Sequence, residues 1–521
     1  MATAMHLRSH QVLFYKYCRT ADDDGAALDR LVAQQKVLCE RLGLLGRLLI
    51  SSGGVNGALC CAGCGGDSES RVCAINEYIA SMDAAPRFVG IDWKRSSSVP
   101  PAHHPFFLEL AVRRVNEIVA TNHAAVQLAK DGSIAAGGRH LTPAEWHARL
   151  VAADPSTVVV DVRNTFEHAI GRFETSAGVA AIEPGMQAFT EFERWADGAA
   201  AALKEKKVLM FCTGGVRCEK ASAMLKSRGV ADVSQLSGGI HRYLEQYPSE
   251  RGGLFRGRNF VFDHRVSTPS TSSSLSALAE PGRAPVNASV VVGRCVAAGC
   301  GAPYDSISGA RVCAVCRDFV LVCNGCVPTL RELHCAAHQY LRDSFFVLID
   351  DFTAEELDAF AETLAVIVAV APGGALGAAG GAAVPSAVSA KKSVSVLVIP
   401  RIYRDDRRRV RKHIARLRAR AAELRAGSAS VVATWRGDTV DWSRRCHSCG
   451  VAAEACAAQR AGPLTRCAAR RPAGSCGGVV KTKRAPWVKP PRKGKKKQKK
   501  QKKRSRGGEA GASVEQEHGT V

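Results

Sequence analysis

Residues 207–226 constrain this 521-residue chain more tightly than any other segment. Val208-Leu209-Met210-Phe211 is an apolar run of strand length that ends directly on Cys212. The loop Thr213-Gly214-Gly215-Val216-Arg217 follows, and a helix is predicted from about Cys218 to Arg228. A strand that passes through a short glycine loop into a helix belongs to a parallel sheet flanked by helices. Two more runs fit that sheet: Thr157-Val158-Val159-Val160, and Val233-Ser234-Gln235-Leu236 closed by Gly238-Gly239.

The same loop carries chemistry. The first amides of a helix lack intrahelical partners, and with the helix dipole they favour an anion. A cysteine facing them is expected to have a lowered pKa, whether it holds a thiolate or a persulfide. Arg217 adds a positive charge, and Gly214 and Gly215 let the backbone curl around the sulfur. The plainer reading is a buried strand-end cysteine beside an ordinary turn. Cys218 is either a resolving thiol for an oxidised Cys212 or a small residue packed under the loop. Asp161 and Arg163 either orient the loop or form a structural salt bridge at a strand end.

Asp161-Val162-Arg163-Asn164 with Glu167, the Cys212–Arg217 loop and Leu236-Ser237-Gly238-Gly239-Ile240 resemble the signatures of the rhodanese family. The resemblance is closer to one subfamily, the rhodanese-type tRNA uridine hydroxylases, and to the eukaryotic thiosulfate sulfurtransferase/rhodanese-like domain-containing proteins. It rests on Tyr15-Lys16-Tyr17, Gly46-Arg47 with Gly54-Val55-Asn56-Gly57, the run from Cys212 to Ser222, and Phe260-Val261-Phe262-Asp263. These occur in the subfamily's order over about residues 11–266. One departure stands out. Ser51-Ser52-Gly53 replaces the acidic residues usual before the Gly-x-Asn-Gly turn, and an insertion with Cys60, Cys61, Cys64 and Cys73 follows.

What the resemblance implies is oxygen-dependent hydroxylation of a wobble uridine to 5-hydroxyuridine. Cys212 would be essential, molecular oxygen the co-substrate, and the anticodon region of tRNA the partner. The competing enzyme reading is sulfur transfer, with the Cys212 thiolate taking a sulfane sulfur from thiosulfate or a protein persulfide. Phosphatase chemistry needs a loop roomy enough for a tetrahedral oxyanion, whereas the four residues Thr213 to Val216 suit a single sulfur. A scaffold with a vestigial domain is disfavoured because the cysteine and its loop are intact.

Twenty cysteines would signal disulfides in a secreted chain, but the early apolar run Val12-Leu13-Phe14-Tyr15 is too short for a signal sequence. Many of them fall instead in ligand-like pairs: Cys295-x4-Cys300, Cys313-x2-Cys316, Cys323-x2-Cys326 and Cys335-x2-His338. Eight such ligands accommodate two structural zinc ions. The spacing leaves open which pairs combine, and His334 competes for the last position. Cys446-x2-Cys449 with Cys456, Cys467 and Cys476 is a weaker metal signal, and the Cys60–Cys73 group weaker again.

The net charge of +24 is concentrated. Residues 481–506 hold fifteen Lys or Arg and no acid, residues 401–425 carry a net +8, and the remainder is nearly neutral. The tail is expected to bind polyanions without reading sequence, or to serve as a nuclear or nucleolar address on an otherwise cytoplasmic protein. The helix at Arg407–Arg425 has an apolar stripe of Val410, Ile414, Leu417, Ala421 and Leu424, so it either lies on RNA phosphates or packs by that stripe. The best membrane candidate, Leu364 to Val384, is Ala/Gly-rich and interrupted by Pro372, so no span is expected.

The organisation predicted is an N-terminal α+β domain over 11–125 and a rhodanese α/β domain over 140–266. A linker over 267–290 leads to a Cys-rich zinc-binding segment over 291–345 and a helix over 351–371. A low-complexity spacer (372–395), a basic helix (396–430) and a basic, mostly disordered extension (431–521) complete it. Within the first domain, strands are predicted at Val12–Tyr17 and from Arg47, with a helix over Ala26–Leu42 and a turn at Gly43–Gly46. Thr142-Pro143-Ala144-Glu145 and Thr353-Ala354-Glu355-Glu356 read as helix N-termini.

Overall fold

The structure is a computed structural model that describes residues 9–20, 25–61, 68–98, 106–121, 129, 133–271, 290–347, 349–350, 352–369, 403–429 and 454–455. The chain divides into two units, 1–475 and 476–521, and every described residue lies in the first. The low-complexity spacer, Cys64, the cysteines from Cys446 to Cys476 and the Lys/Arg run at 481–506 lie outside the described residues.

The first domain runs β1 (Ser9–Tyr17), α1 (Gly25–Arg41), β2 (Leu44–Ser51), β3 (Gly54–Cys61), α2 (Ser68–Asp83), β4 (Lys94–Ser98) and β5 (Leu110–Arg114). Its sheet has the order β4-β1-β3-β2-β5, with β5 parallel to β2 and the other pairs antiparallel. Side chains alternate across such a sheet. Val12 and Phe14 of β1, Leu48 and Ile50 of β2, and Val55 and Leu59 of β3 bury one face against Leu28, Leu31 and Tyr78 of the two helices. Gln11, Leu13 and Tyr15, together with Arg47, Asn56 and Ala58, are left on the other face.

Two expectations fail in this domain. The segment read as a turn over Gly43–Gly46 is already strand from Leu44, since only Gly43 is needed to reverse the chain (φ +61°). Likewise, Gly54–Gly57 opens β3, which pairs with all of β2 from Leu44↔Cys61 to Ser51↔Gly54. Cys60 and Cys61 are therefore buried strand residues, while Cys73 lies exposed on α2. Among the described residues no metal-binding group forms around them.

The second domain comprises β6 (Arg139–Leu141), α3 (Pro143–Ala152), β7 (Thr157–Asp161), α4 (Thr165–Ile170), β8 (Gly171–Phe173), α5 (Phe192–Leu203), β9 (Lys207–Phe211), α6 (Val216–Lys226), β10 (Val233–Leu236) and α7 (Gly239–Gln246). Its sheet, ordered β6-β10-β9-β7, is parallel throughout. Along β9 the alternation is plain. Val208 and Met210 pack with Trp195, Met224 and Leu225 of α5 and α6, whereas Leu209 and Phe211 pack with Trp146, Ile240 and Tyr243 of α3 and α7. At the start of α3, Thr142 and Glu145 make the predicted reciprocal cap. Helix α6 starts at Val216, earlier than predicted, which brings Arg217 into its first turn. Two short strands missed by sequence reasoning, β11 (Phe255–Phe260) and β12 (Ser267–Pro269), join β8 in a small sheet.

The cysteine-rich segment shares a hydrophobic core with α8 (Ala354–Ala369) and α9 (Tyr403–Arg425). Val410, Ile414, Leu417 and Ala421 of α9 are buried there with Leu333, Leu341 and Leu364, so the apolar stripe of the basic helix is a packing surface. Arg416 donates to the Phe346 carbonyl at 2.8 Å and Arg420 pairs with Asp350 at 3.1 Å. Arg408, Arg411, Lys412 and Arg418 stay exposed. Phe166 and Ile170 of α4 pack with Phe260, Ile307 and Leu321, joining this segment to the second domain. Among the described residues no helix is long and apolar enough to cross a membrane.

Candidate active site

Cys212 follows β9 immediately, and its side chain is fully buried. The loop turns through Gly215 at φ +101°, where a Cβ would lie 2.7 Å from the Tyr15 hydroxyl, so glycine is required. The Gly215 amide donates to the Cys212 sulfur at 3.1 Å. Helix α7 braces the loop from behind, with the amides of Ile240 and His241 donating to the carbonyls of Cys212 and Thr213 at 3.0 and 3.1 Å. A Cβ on Gly239 would sit 2.5 Å from the Cys212 carbonyl oxygen, so this close approach also needs glycine.

Burial alone would push the Cys212 thiol up. The Cys218 thiol, the Arg217 guanidinium and the amides of Gly214 and Arg217 outweigh it and bring the pKa down to about 5. Cys212 is therefore a thiolate at neutral pH. Cys218 itself is held well above the ordinary thiol range by burial and by the neighbouring Cys212 sulfur. That makes Cys218 a hydrogen-bond donor to the thiolate.

Arg217 borders the cavity but is already engaged. Its guanidinium forks onto Glu167 at 2.6 and 2.9 Å and touches the Thr213 hydroxyl at 3.2 Å. The sequence places Glu167 within a motif but gives no sign of this pairing. Asp161 and Arg163 form a second, fully buried bidentate pair at 2.7 and 2.9 Å, to which His168 adds a bond at 2.9 Å. Arg163, His168 and hydrogen bonding hold the Asp161 carboxyl at about 2 against its burial. Both residues lie beneath the sheet end rather than in the cavity, which is the geometry of a structural bridge.

The first domain closes the site. Tyr15 donates to Glu219 at 2.9 Å, Tyr17 donates to the Val216 carbonyl at 3.2 Å, and Lys220 pairs with Glu117 at 2.7 Å. Glu219 in turn meets His140 at 2.9 Å. Lys94 is buried beside the Tyr15 ring and paired with Asp92 at 2.7 Å. Between the β1–β3 face and the Cys212 loop lies a cavity of about 270 Å³. Leu13, Phe107, Ile118 and Val119 give it apolar walls, while Cys212, Thr213 and Gly214 line its far side, and Arg47, Phe262 and Arg265 border it as well. Its size is near the lower end for small-molecule sites, enough for one planar base and little more.

The eight candidate cysteine and histidine ligands sort into two groups, Cys295/Cys300/Cys323/Cys326 and Cys313/Cys316/Cys335/His338, with the donor atoms of each group within 4.8 Å of one another. First pair joins third and second joins fourth, so the two sites interleave. Cys300 and Cys323 sulfurs lie 3.8 Å apart and Cys316 and Cys335 sulfurs 3.9 Å apart. Metal–sulfur bonds of about 2.3 Å in a tetrahedron require sulfurs about 3.8 Å apart, so the groups fit metal ions with no open position. His338 completes the second group through Nδ1, 3.0 Å from the Cys335 sulfur, and His334 is not part of it.

Three families match successive parts of the chain. Residues 9–118 match the family described as UPF0176 acylphosphatase like domain, residues 143–246 the Rhodanese-like domain, and residues 256–338 the Rhodanase C-terminal family. The chain is 37% identical over 331 residues to the "Rhodanese-like domain-containing protein 6" of Arabidopsis thaliana, covering 60% of this chain and 50% of that protein. It thus spans half the length of the plant relative. It is 36% identical over 279 residues to the "tRNA uridine(34) hydroxylase" of Mesorhizobium japonicum, covering 53% of this chain and 82% of that protein. Among solved structures, the rhodanese-like domain of an Anabaena protein is 23% identical over 23% of this chain and 78% of its own, with a TM-score of 0.18.

Proposed function

The chain belongs to the family of the rhodanese-type tRNA uridine(34) hydroxylases, and from that premise we propose that it hydroxylates the wobble uridine of tRNA at carbon 5. The observation that carries the reading is the position of the Cys212 thiolate. It lies on the wall of a base-sized cavity that exists only because the first domain covers the rhodanese loop. A uridine swung out of the anticodon would present its uracil edge to the sulfur, and single-stranded loops are where bases can be splayed out in this way. Cys212 is the working residue of this proposal, with Thr213, Gly214, Gly215, Val216 and Arg217 shaping its anion site and Cys218 donating to its sulfur. Molecular oxygen is the co-substrate, and an external reductant must supply the electrons.

Zinc is the metal proposed for both cysteine groups. Thiolate-rich closed tetrahedra suit it, and the role is structural, because such a small interleaved core gains much of its folding free energy from its metals. The second reading is sulfur transfer. It is favoured by the loop itself, whose amides and depressed thiol pKa would hold a terminal persulfide sulfur equally well.

Nucleoside analysis of tRNA separates the two. tRNA from cells lacking the protein should lose 5-hydroxyuridine at position 34, and purified full-length protein should restore it under air but not under nitrogen. Undiminished 5-hydroxyuridine in those cells, with steady thiosulfate turnover by the purified protein, would move the assignment to sulfur transfer.

A further inference from the structure

The cations bordering the cavity are not equivalent. Arg217 is committed to Glu167, and Arg265 to Asp263 at 2.9 Å. Arg47 of β2 has no carboxylate partner among the described residues, nor has Arg113 of β5. Register explains why these two belong together. Parallel pairing sets Arg47 beside Ala111 and Leu49 beside Arg113, so both arginines project from the same face of the sheet on neighbouring strands. That face is the one turned toward the Cys212 loop, whereas Leu110 and Val112 pack on the helix side. Surrounding protein and the nearby Arg113 charge lower the Arg47 pKa. Both arginines are exposed to solvent, so an incoming anion can reach them.

An aromatic ring stands next to them. Phe262 borders the cavity with 43% of its surface exposed, packed edge-on against Phe260. The Arg47 and Arg217 guanidiniums lie 5.8 and 5.9 Å from its centroid. Exposed aromatic rings beside unpaired arginines are how proteins hold single-stranded nucleic acid, the ring stacking on a base and the arginines taking phosphates.

We propose that Arg47, Arg113 and Phe262 form the RNA entrance to the Cys212 cavity. Phe262 stacks on a base at the mouth, Arg47 takes the phosphate of the nucleotide that enters, and Arg113 takes the next phosphate along the sheet edge. The proposal deepens the hydroxylase reading, on which the identity of the RNA rests. It also places RNA recognition in the nearly neutral folded part of the chain, where net charge gave no hint of it.

The test is the binding of a synthetic anticodon stem-loop RNA with uridine at position 34 to full-length protein, followed by fluorescence anisotropy across a salt series. Arg47→Ala and Arg113→Ala are each expected to weaken binding and to lower the slope of log K against log salt by about 0.7, the value of one single-strand phosphate contact. Arg47→Lys should restore the slope because the charge is kept. Phe262→Ala should weaken binding about 5- to 150-fold with the salt slope unchanged, as loss of one stacked base predicts. Melting curves establish that each variant is folded. Wild-type affinity and slope in folded Arg47→Ala and Arg113→Ala proteins would overturn the entrance. So would equal losses in Arg47→Ala and Arg47→Lys at an unchanged slope, since that pattern marks a packing role alone. A wild-type protein that binds RNA through these residues yet forms no 5-hydroxyuridine would uphold the entrance while removing the hydroxylase reading.

Discussion

Glu167 and Arg217, 50 residues apart in the chain, meet through both carboxylate oxygens at 2.6 and 2.9 Å beneath the Cys212 loop. The guanidinium that helps hold Cys212 as a thiolate is thus already neutralised on its other side. It shapes the loop and the sulfur's field. It also ties helix α4, which carries Glu167, to the reacting sulfur.

Breaking that pair should be costly. Glu167→Ala leaves a buried guanidinium without its partner, and removal of one member of such a pair typically destabilises by about 3–5 kcal/mol. Chemical denaturation of the variant should show a loss of that order. A loss no larger than that of a surface substitution would mean that the pair is relaxed in solution.

The acidity of Cys212 gives a second test. With a folded pKa of about 5, the rate of its alkylation by iodoacetamide should be flat from pH 7 upward and should fall as the pH drops through 5. Cys218→Ala removes a donor to the thiolate and should move the midpoint upward, whereas Cys218→Ser, which keeps a donor, should move it less. Cys212→Ala should abolish tRNA modification in a protein that still melts cooperatively. A wild-type midpoint near 8 to 9, the range of an unperturbed thiol, would contradict the loop electrostatics described above.

The interleaved cysteine groups predict about two zinc ions per chain by metal analysis of freshly reduced protein. Cys326→Ser should lower the content toward one, and strong chelators should unfold the core that α8 and α9 share with the ligands. A fully folded, metal-free protein would show that the thiols pack without zinc.

What could be read from the sequence divides along physical lines. The Cys212 loop was legible because its strand, glycines and helix start are contiguous, and the caps at Thr142 and Thr353 are local in the same sense. The partner of Arg217 was not, since a pairing across 50 residues depends on how α4 docks. Tyr15 and Tyr17 stand out in the sequence only as part of a resemblance. Their work on the loop follows from the parity of β1, which sends residues 13, 15 and 17 away from the helices. Cys60 and Cys61 misled because cysteine spacing suggests ligands, although alternation along a strand sends neighbours to opposite faces. In the cysteine-rich segment the candidate ligand pairs were legible and their grouping was not, because four equivalent pairs can combine in more than one order.

The last prediction concerns the fifteen basic residues of 481–506, where most of the excess charge resides. Truncating the chain near Ala390 would be a poor way to remove them, because it also deletes α9. Val410, Ile414 and Leu417 would then leave the core around the cysteine groups, and any loss of binding would be confounded with unfolding. Replacing the tail lysines and arginines by glutamine keeps that core. If the tail engages six to ten phosphates, the full-length protein's log K for tRNA should fall with log salt more steeply than the variant's by about 4 to 9. The stacking contribution of Phe262 should be the same in both backgrounds, since it does not depend on counterion release. Thiosulfate turnover, which needs no phosphate recognition, should not change. Equal affinity and equal slope in the two proteins would show that the tail does not contact tRNA.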